Sequence, residues 1–393
     1  MELLLVFSVT LLVAVLFSDL AHRSVLSTAV LFLAVGFLLG GGVLNIIPEG
    51  PGDPIVETLA ELALFAVLFT DGMRIGLRDL ASAWRLPGRA LFFGLPLTLG
   101  LVALLAHYVT GLPWPESFLI GAILSPTDPV FAAALVGRDE VPRRLRHLLN
   151  VESGLNDGLA LPVVLILMHV VSREPMEMGT IFGELVAGIA LGIAIPWLVI
   201  RLEGTRYFAA STAYEPLHAF ALGVVVLAVT MITDANEFLA AFAAGVTVAT
   251  VNPAVKEAFH SLGELITELL KLGSILVFGA LVSSEVLGAH IGWKGWLFAL
   301  MIIFAARPVA ILISLVGSRL GAREWAVAAW FGPKGFASLI YALIVFQAGS
   351  PNAGRIFQLS ALAIGLSILL HSSTDVLAVR WLKRQGADCP EAI

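Results

Sequence analysis

The chain has 393 residues, of which 59% are hydrophobic and 13% charged, and its mean hydropathy is +0.95. Soluble domains carry about one quarter charged residues, so half that fraction excludes an ordinary water-soluble enzyme or binding module and indicates a membrane protein. The formal net charge of -6 averages over two faces of a bilayer and identifies no partner, and the single cysteine, Cys389, excludes an internal disulfide.

A helix needs roughly 20 largely apolar residues to cross a bilayer. Thirteen such segments follow one another, at 2–20, 25–46, 55–74, 89–110, 116–136, 147–171, 180–200, 216–233, 236–251, 263–285, 294–317, 324–348 and 356–380. The start lacks the basic stretch of a signal peptide, so the first run reads as a retained helix. No soluble domain interrupts the series. The expected organisation is one all-α transmembrane domain over residues 1–382 and a short tail over 383–393.

Loop charge tests the count. Alternate loops, beginning after the first segment, hold Arg23, then Arg74, Arg78, Arg85 and Arg89, then Arg138, Arg143, Arg144 and Arg146, then Arg201 and Arg206, then Lys256, then Arg319 and Arg323. The tail adds Arg380, Lys383 and Arg384, which makes seventeen. The other loops hold only Arg173, Lys294 and Arg355. Positive charge concentrates on the cytoplasmic side. The expected layout therefore has the N-terminus outside and the C-terminus in the cytoplasm of a plasma (inner) membrane protein. Lys271, Arg307 and Lys334 remain within segments. Lys271 is expected near the cytoplasmic end of its helix, with its ammonium reaching back to water.

Charge within a span is expensive and normally marks an ion or proton pathway. The fifth segment contains Ser125-Pro126-Thr127-Asp128-Pro129. Two prolines around an acid remove backbone donors, so the helix is expected to unwind and free carbonyls for a cation. The plainer alternative is a proline kink with a capping Asp128. The sixth segment contains Glu152, Ser153, Asn156 and Asp157, whose i, i+4 spacing places all four on one broad face. Carboxylate, hydroxyl and amide oxygens suit a hard cation. A polar stripe joining helices is the alternative.

The eleventh segment holds Arg307 before Pro308. An arginine cannot shed its charge and needs a carboxylate, for which Glu152 is the candidate. Such a pair is either purely structural or leaves Asp157 free by neutralising Glu152. The twelfth segment contains Phe331-Gly332-Pro333-Lys334-Gly335, a second breaker that carries a cation. Two broken helices running in opposite directions point to an inverted-repeat transporter. Lys334 either offsets helix-end and carbonyl charge at the crossing or lies at the cytoplasmic end of its helix. In the third segment Glu61 faces mid-span and is a candidate to reach the site, whereas Asp71 reads as a cytoplasmic-end residue. His107, His169 and His371 read as interfacial. Nothing suggests a transition metal, an ATP site or a nucleic-acid partner.

These motifs resemble the NhaP-type branch of the monovalent cation:proton antiporters, related to the eukaryotic sodium/proton exchangers. Thr127-Asp128-Pro129, the Glu152-Ser153 to Asn156-Asp157 stretch and Arg307-Pro308 carry the resemblance, in the family's order. The resemblance implies that Asp157 carries cation and proton. Asp128, Ser153 and the backbone of Thr127 would complete a sodium site, Asn156 and Glu152 would support it, and Glu152 would pair with Arg307. It further implies a homodimer with a mobile core, no cofactor, and electroneutral exchange, since Asn156 precedes Asp157 where electrogenic relatives have two aspartates. The chain departs from the family at Gly332-Pro333-Lys334-Gly335, where arginine is usual.

Burial disfavours a bare carboxylate charge, so proton and cation are expected to compete for Asp157. Two rivals are a potassium/proton exchanger on the same scaffold and an intramembrane enzyme using Asp128 and Asp157 as a carboxylate pair.

Overall fold

In hydrocarbon every backbone N–H and C=O must find its partner within the chain, which leaves helices as the simplest spanning element. The computed structural model describes residues 2–17, 28–41, 43–47, 50, 52–74, 86–128, 141–172, 178–203, 214–282, 291–318 and 320–386. They form helices α1 (Glu2–Leu16), α2 (Thr28–Leu39), α3 (Pro54–Arg74), α4 (Pro87–Thr110), α5 (Trp114–Ile123), α6 (Arg143–Ser172) and α7 (Met178–Glu203). There follow α8 (Glu215–Thr233), α9 (Glu237–Val251), α10 (Pro253–Leu281), α11 (Gly292–Ser314), α12 (Ala322–Trp330), α13 (Phe336–Gln347) and α14 (Ala353–Gly386). No strand occurs among the described residues. Pro129, Cys389, Arg23, Arg78, Arg85, Arg138, Arg173, Arg206 and Arg319 lie outside them.

Each of the thirteen apolar segments contains helix, and the twelfth is divided between α12 and α13. Six described helices are long and apolar enough to cross a bilayer, or seven if the pair Glu237–Val251 and Pro253–Phe259, bent by 117°, counts as one. Length and composition alone therefore supply fewer crossings than thirteen. Part of the difference has a local cause: α3 carries Glu57, Glu61, Asp71 and Arg74, while α5, α12 and α13 are cut short by breakers, and α1 and α2 have only 15 and 12 described residues. Several boundaries differ from expectation, among them the start of the tenth helix and the end of the last. The tenth helix starts at Pro253, ten residues early, because Asn252 caps it through Val255 N–H (3.4 Å) and Pro253 suits the first turn. The last helix runs past residue 382 to Gly386.

Wide π-type turns occur at Ala90–Gly94 and Ala106–Thr110 in α4 and at Ile302–Ala306 in α11. The first and the last of these precede Pro96 and Pro308. A proline ring clashes with the carbonyl four residues back, and widening the turn relieves that clash.

Packing divides the helices into two groups. Helices α1–α3 and α7–α10 pack mainly on one another, as do α4–α6 and α11–α14. Fewer contacts join the groups, chiefly α6 with α3 and α9, α13 with α3 and α10, and α14 with α2. Backbones approach closely where glycines allow it, and this is how apolar helices associate when surrounding lipid offers no hydrophobic drive.

Candidate functional site

Pro126 donates no hydrogen bond and disfavours helical backbone at Ser125, so α5 stops at Ile123. Ser125 to Asp128 continue as buried, non-helical chain. Pro333 acts likewise in the other half: α12 stops at Trp330 and α13 begins at Phe336. The two interruptions meet through the main chain, where Asp128 N–H donates to the Pro333 carbonyl at 3.0 Å.

Charge at this junction complements the helix ends. Asp128 Oδ2 accepts from Phe336 N–H at 3.3 Å, at the N-terminus of α13, where the peptide dipoles favour an anion. Lys334 is buried and its Nζ points to the Ser125 carbonyl at 3.5 Å, just past the C-terminus of α5, where a cation is favoured. Its backbone N–H donates to Ser367 Oγ at 2.8 Å. The structure thus places Lys334 at the junction and not at a cytoplasmic helix end.

Two glycines permit this closeness. A Cβ on Gly335 would stand 1.9 Å from Asp128 Cβ, and one on Gly332 would stand 2.1 Å from Arg307 Nε. Gly335 has φ -111°, so space and not backbone conformation demands glycine. Asp128 Cβ cannot rotate away, because it is fixed to a hydrogen-bonded backbone. Gly335→Ala is therefore expected to destabilise the protein by about 1–3 kcal/mol or more, read as a lower melting temperature in detergent. Gly365→Ala, with nothing within 4 Å of the added carbon, is the control that should melt like the parent.

Helix α6 presents Glu152, Ser153, Asn156 and Asp157, all buried, toward the first interruption. Thr127 Oγ1 lies 3.2 Å from Ser153 Oγ and accepts from Asn156 Nδ2 at 2.7 Å. Asn156 Oδ1 is a buried acceptor with no partner among the described residues. Glu152 Oε1 accepts from Arg307 Nη1 at 2.5 Å, with both residues buried. Asp157 differs from these acids. Its carboxylate is 3% exposed and makes no hydrogen bond or ion pair among the described residues. Its main-chain carbonyl accepts from Tyr341 O–H at 2.8 Å. Asp128, Asp71 and Lys271 lie within electrostatic reach of it.

Four expectations change. Lys271 does not reach back to water. It is 5% exposed, and its Nζ lies 3.7 Å from Asp128 Oδ2. Asp71 is not a surface residue; it is 4% exposed, accepts from Arg74 Nη1 at 3.1 Å, and neighbours Lys271 and Asp128. Glu61 does not join the site. It is partly exposed, and its charged neighbours are Glu57 and Glu237. His371 is buried and not interfacial: Nε2 meets the Trp330 carbonyl at 3.0 Å and Nδ1 meets Ser367 Oγ at 3.1 Å. With Nε2 protonated, His371 donates to the end of α12 while Ser367 receives Lys334 N–H, so α14 holds both sides of the second interruption. His107, stacked on Trp114 at 4.1 Å, and His169, on the Leu165 carbonyl at 2.8 Å, are half-buried near helix ends.

A sequence signal existed for Lys271. Glu264, Thr267, Glu268 and Lys271 recur at helical spacing, as do Thr70, Asp71 and Arg74. The two stripes face each other, with Thr70 Oγ1 2.9 Å from Thr267 Oγ1 and Arg74 Nη2 3.2 Å from Glu264 Oε1. Among the described residues no group of three or more His, Cys, Asp or Glu side chains could hold a metal ion. The cluster offers hydroxyl, amide and carboxylate oxygens, a set for a hard cation.

Comparison with known proteins bears on this arrangement. Residues 7–381 match the family described as sodium/hydrogen exchanger, transmembrane. The chain belongs to this family. It is 26% identical over 386 residues to the K(+)/H(+) antiporter NhaP2 of Shewanella baltica, covering 94% of this chain and 65% of that relative's length. It is also 26% identical over 392 residues to the K(+)/H(+) antiporter NhaP of Alkalimonas amylolytica, covering 97% and 67%. In three dimensions it resembles the sodium proton antiporter MjNhaP1 of Methanocaldococcus jannaschii, with a TM-score of 0.79 at 20% identity, covering 98% of this chain and all of the other. As a family member the chain is an all-helical, multi-pass membrane protein of the NhaP type.

Proposed function

We propose that this exchanger-family protein is a secondary transporter that exchanges sodium for protons, one for one, by competition at Asp157. The observation that carries the proposal is the contrast among the buried acids. Asp128 rests on Lys271 and the α13 N-terminus, Glu152 rests on Arg307, and Asp157 has no such partner. A carboxylate out of water must be neutralised, and a proton or a monovalent cation does this equally. Thr127, Ser153 and Asn156 Oδ1, with Asp128, stand ready to complete the cation's shell. Each occupant brings the same single positive charge, so exchange of one for the other should be electroneutral.

In this proposal all thirteen segments cross the membrane, with the N-terminus outside and the C-terminus cytoplasmic in the inner membrane. The interruptions in the fifth and twelfth segments cross as an inverted pair. The group α4–α6 with α11–α14 is the moving core and α1–α3 with α7–α10 the dimerisation scaffold. Access alternates as one slides on the other.

Potassium is the second reading, favoured by the names of the two bacterial relatives. Vesicles containing the purified protein and a pH-sensitive dye decide between them. Sodium and lithium should each drive proton movement, potassium should do so weakly, and an imposed membrane potential should leave the rate unchanged. Potassium as the better driver would reassign the ion. A clear voltage response would remove the one-for-one count, and absence of any cation-driven flux would remove antiport.

A further inference from the structure

The site contains two carboxylates, Asp128 and Asp157, within electrostatic reach of each other. Two carboxylates with hydroxyl and amide oxygens are a set that calcium or magnesium would ordinarily take. Lys271 alters this count. Its ammonium is buried on α10, in the opposite packing group from Asp128, and approaches Oδ2 of that residue at 3.7 Å. Its other charged neighbours are Asp71, Arg74 and Glu268. Arg74 is engaged by Asp71 and Glu264, and Glu268 on α10 is partly exposed. Lys271 is thus the ammonium that faces Asp128, whereas Asp157 has no cation paired with it among the described residues.

We infer that Lys271 is a specificity-determining residue, a tethered cation that cancels one of the two site carboxylates and so refuses divalent ions. The inference rests on Asp157 being the exchangeable carboxylate. A divalent ion beside Asp157 would meet a carboxylate pair of which a fixed ammonium already cancels one charge, and would leave the site positive, whereas a monovalent ion is neutralised there. Because the ammonium belongs to the other helix group, the refusal also depends on how the two groups sit together.

The test is binding to the purified full-length protein in detergent, measured by calorimetry with calcium or magnesium chloride and, separately, sodium chloride. The unaltered protein should show sodium binding and no saturable divalent binding. Lys271→Met and Lys271→Gln should gain at least about tenfold in divalent affinity, because a unit charge a few ångströms away has been removed. Lys271→Arg should not gain it, and Lys271→Met combined with Asp128→Asn should lose it again. A folded, monodisperse Lys271→Met that still binds sodium but gains no divalent affinity overturns the inference.

A second comparison does not need the single lysine variant to fold. Asp128→Asn alone leaves the ammonium facing Asp157 and should weaken sodium binding at least about tenfold, and adding Lys271→Met should restore it. Equal sodium affinities in these two variants would also overturn the inference. If the unaltered protein shows no cation-driven proton flux, antiport falls whatever Lys271 does. If flux is present and only the divalent result fails, the fault lies with Lys271 alone.

Discussion

Asp157→Asn should reduce cation-driven proton flux in vesicles to that of protein-free vesicles while leaving the protein as heat-stable as before, or more so. The two halves of this result have one cause. Asparagine keeps the size and polarity of the side chain, so packing on α6 is preserved and the Tyr341 bond to the main-chain carbonyl remains. It neither takes a proton nor carries the charge that a cation neutralises, so both transported species lose their seat. A buried carboxylate without a partner weakens the fold, and removing its charge relieves that burden. Sustained sodium-dependent exchange in this variant would show that the carrier is elsewhere. A large fall in melting temperature would show that Asp157 has a structural partner.

Arg307 should behave in the opposite way. Arg307→Met leaves Glu152 charged and buried without its 2.5 Å partner, and breaking such a pair typically costs about 3–5 kcal/mol. The expected result is a marked loss of folded protein on heating in detergent. The double variant Arg307→Met with Glu152→Leu should recover most of the loss, because apolar groups of similar volume commonly replace a buried ion pair without penalty. A single variant that melts like the parent would mean that Glu152 finds other support. Since Gly332 is needed for the guanidinium to approach the second interruption, Arg307→Met should also loosen that junction.

Much of this molecule was legible in its residues. The apolar runs marked where helix forms, since hydrocarbon leaves little alternative, and Pro126 and Pro333 marked where it stops. The Glu152–Arg307 contact followed from an arginine that cannot lose its charge in a place where charge must be matched. Helical spacing put Ser153, Asn156 and Asp157 together. What stayed hidden depends on which helices become neighbours. The polar stripe on α10 marks a face that includes Lys271 but not what that face meets, because the partner of Lys271 lies 143 positions away on another element. Asp71 and Glu61 exchanged roles for the same reason: both sit on α3, and only the packing of α10 and α6 against it decides which one faces the cluster. His371 was unreadable because it acts on main-chain atoms of α12, whose position no side-chain pattern encodes.

The bond from Asp128 N–H to the Pro333 carbonyl uses no side-chain atom. The splice between the two halves can therefore be inherited apart from the chemistry it hosts. A lineage that keeps a helix-stopping proline in each interruption and a bare Gly335 retains the geometry, while aspartate, lysine or threonine beside it are free to drift. Transporters for different ions can then descend from one scaffold by exchanging a few residues around a joint whose shape does not change.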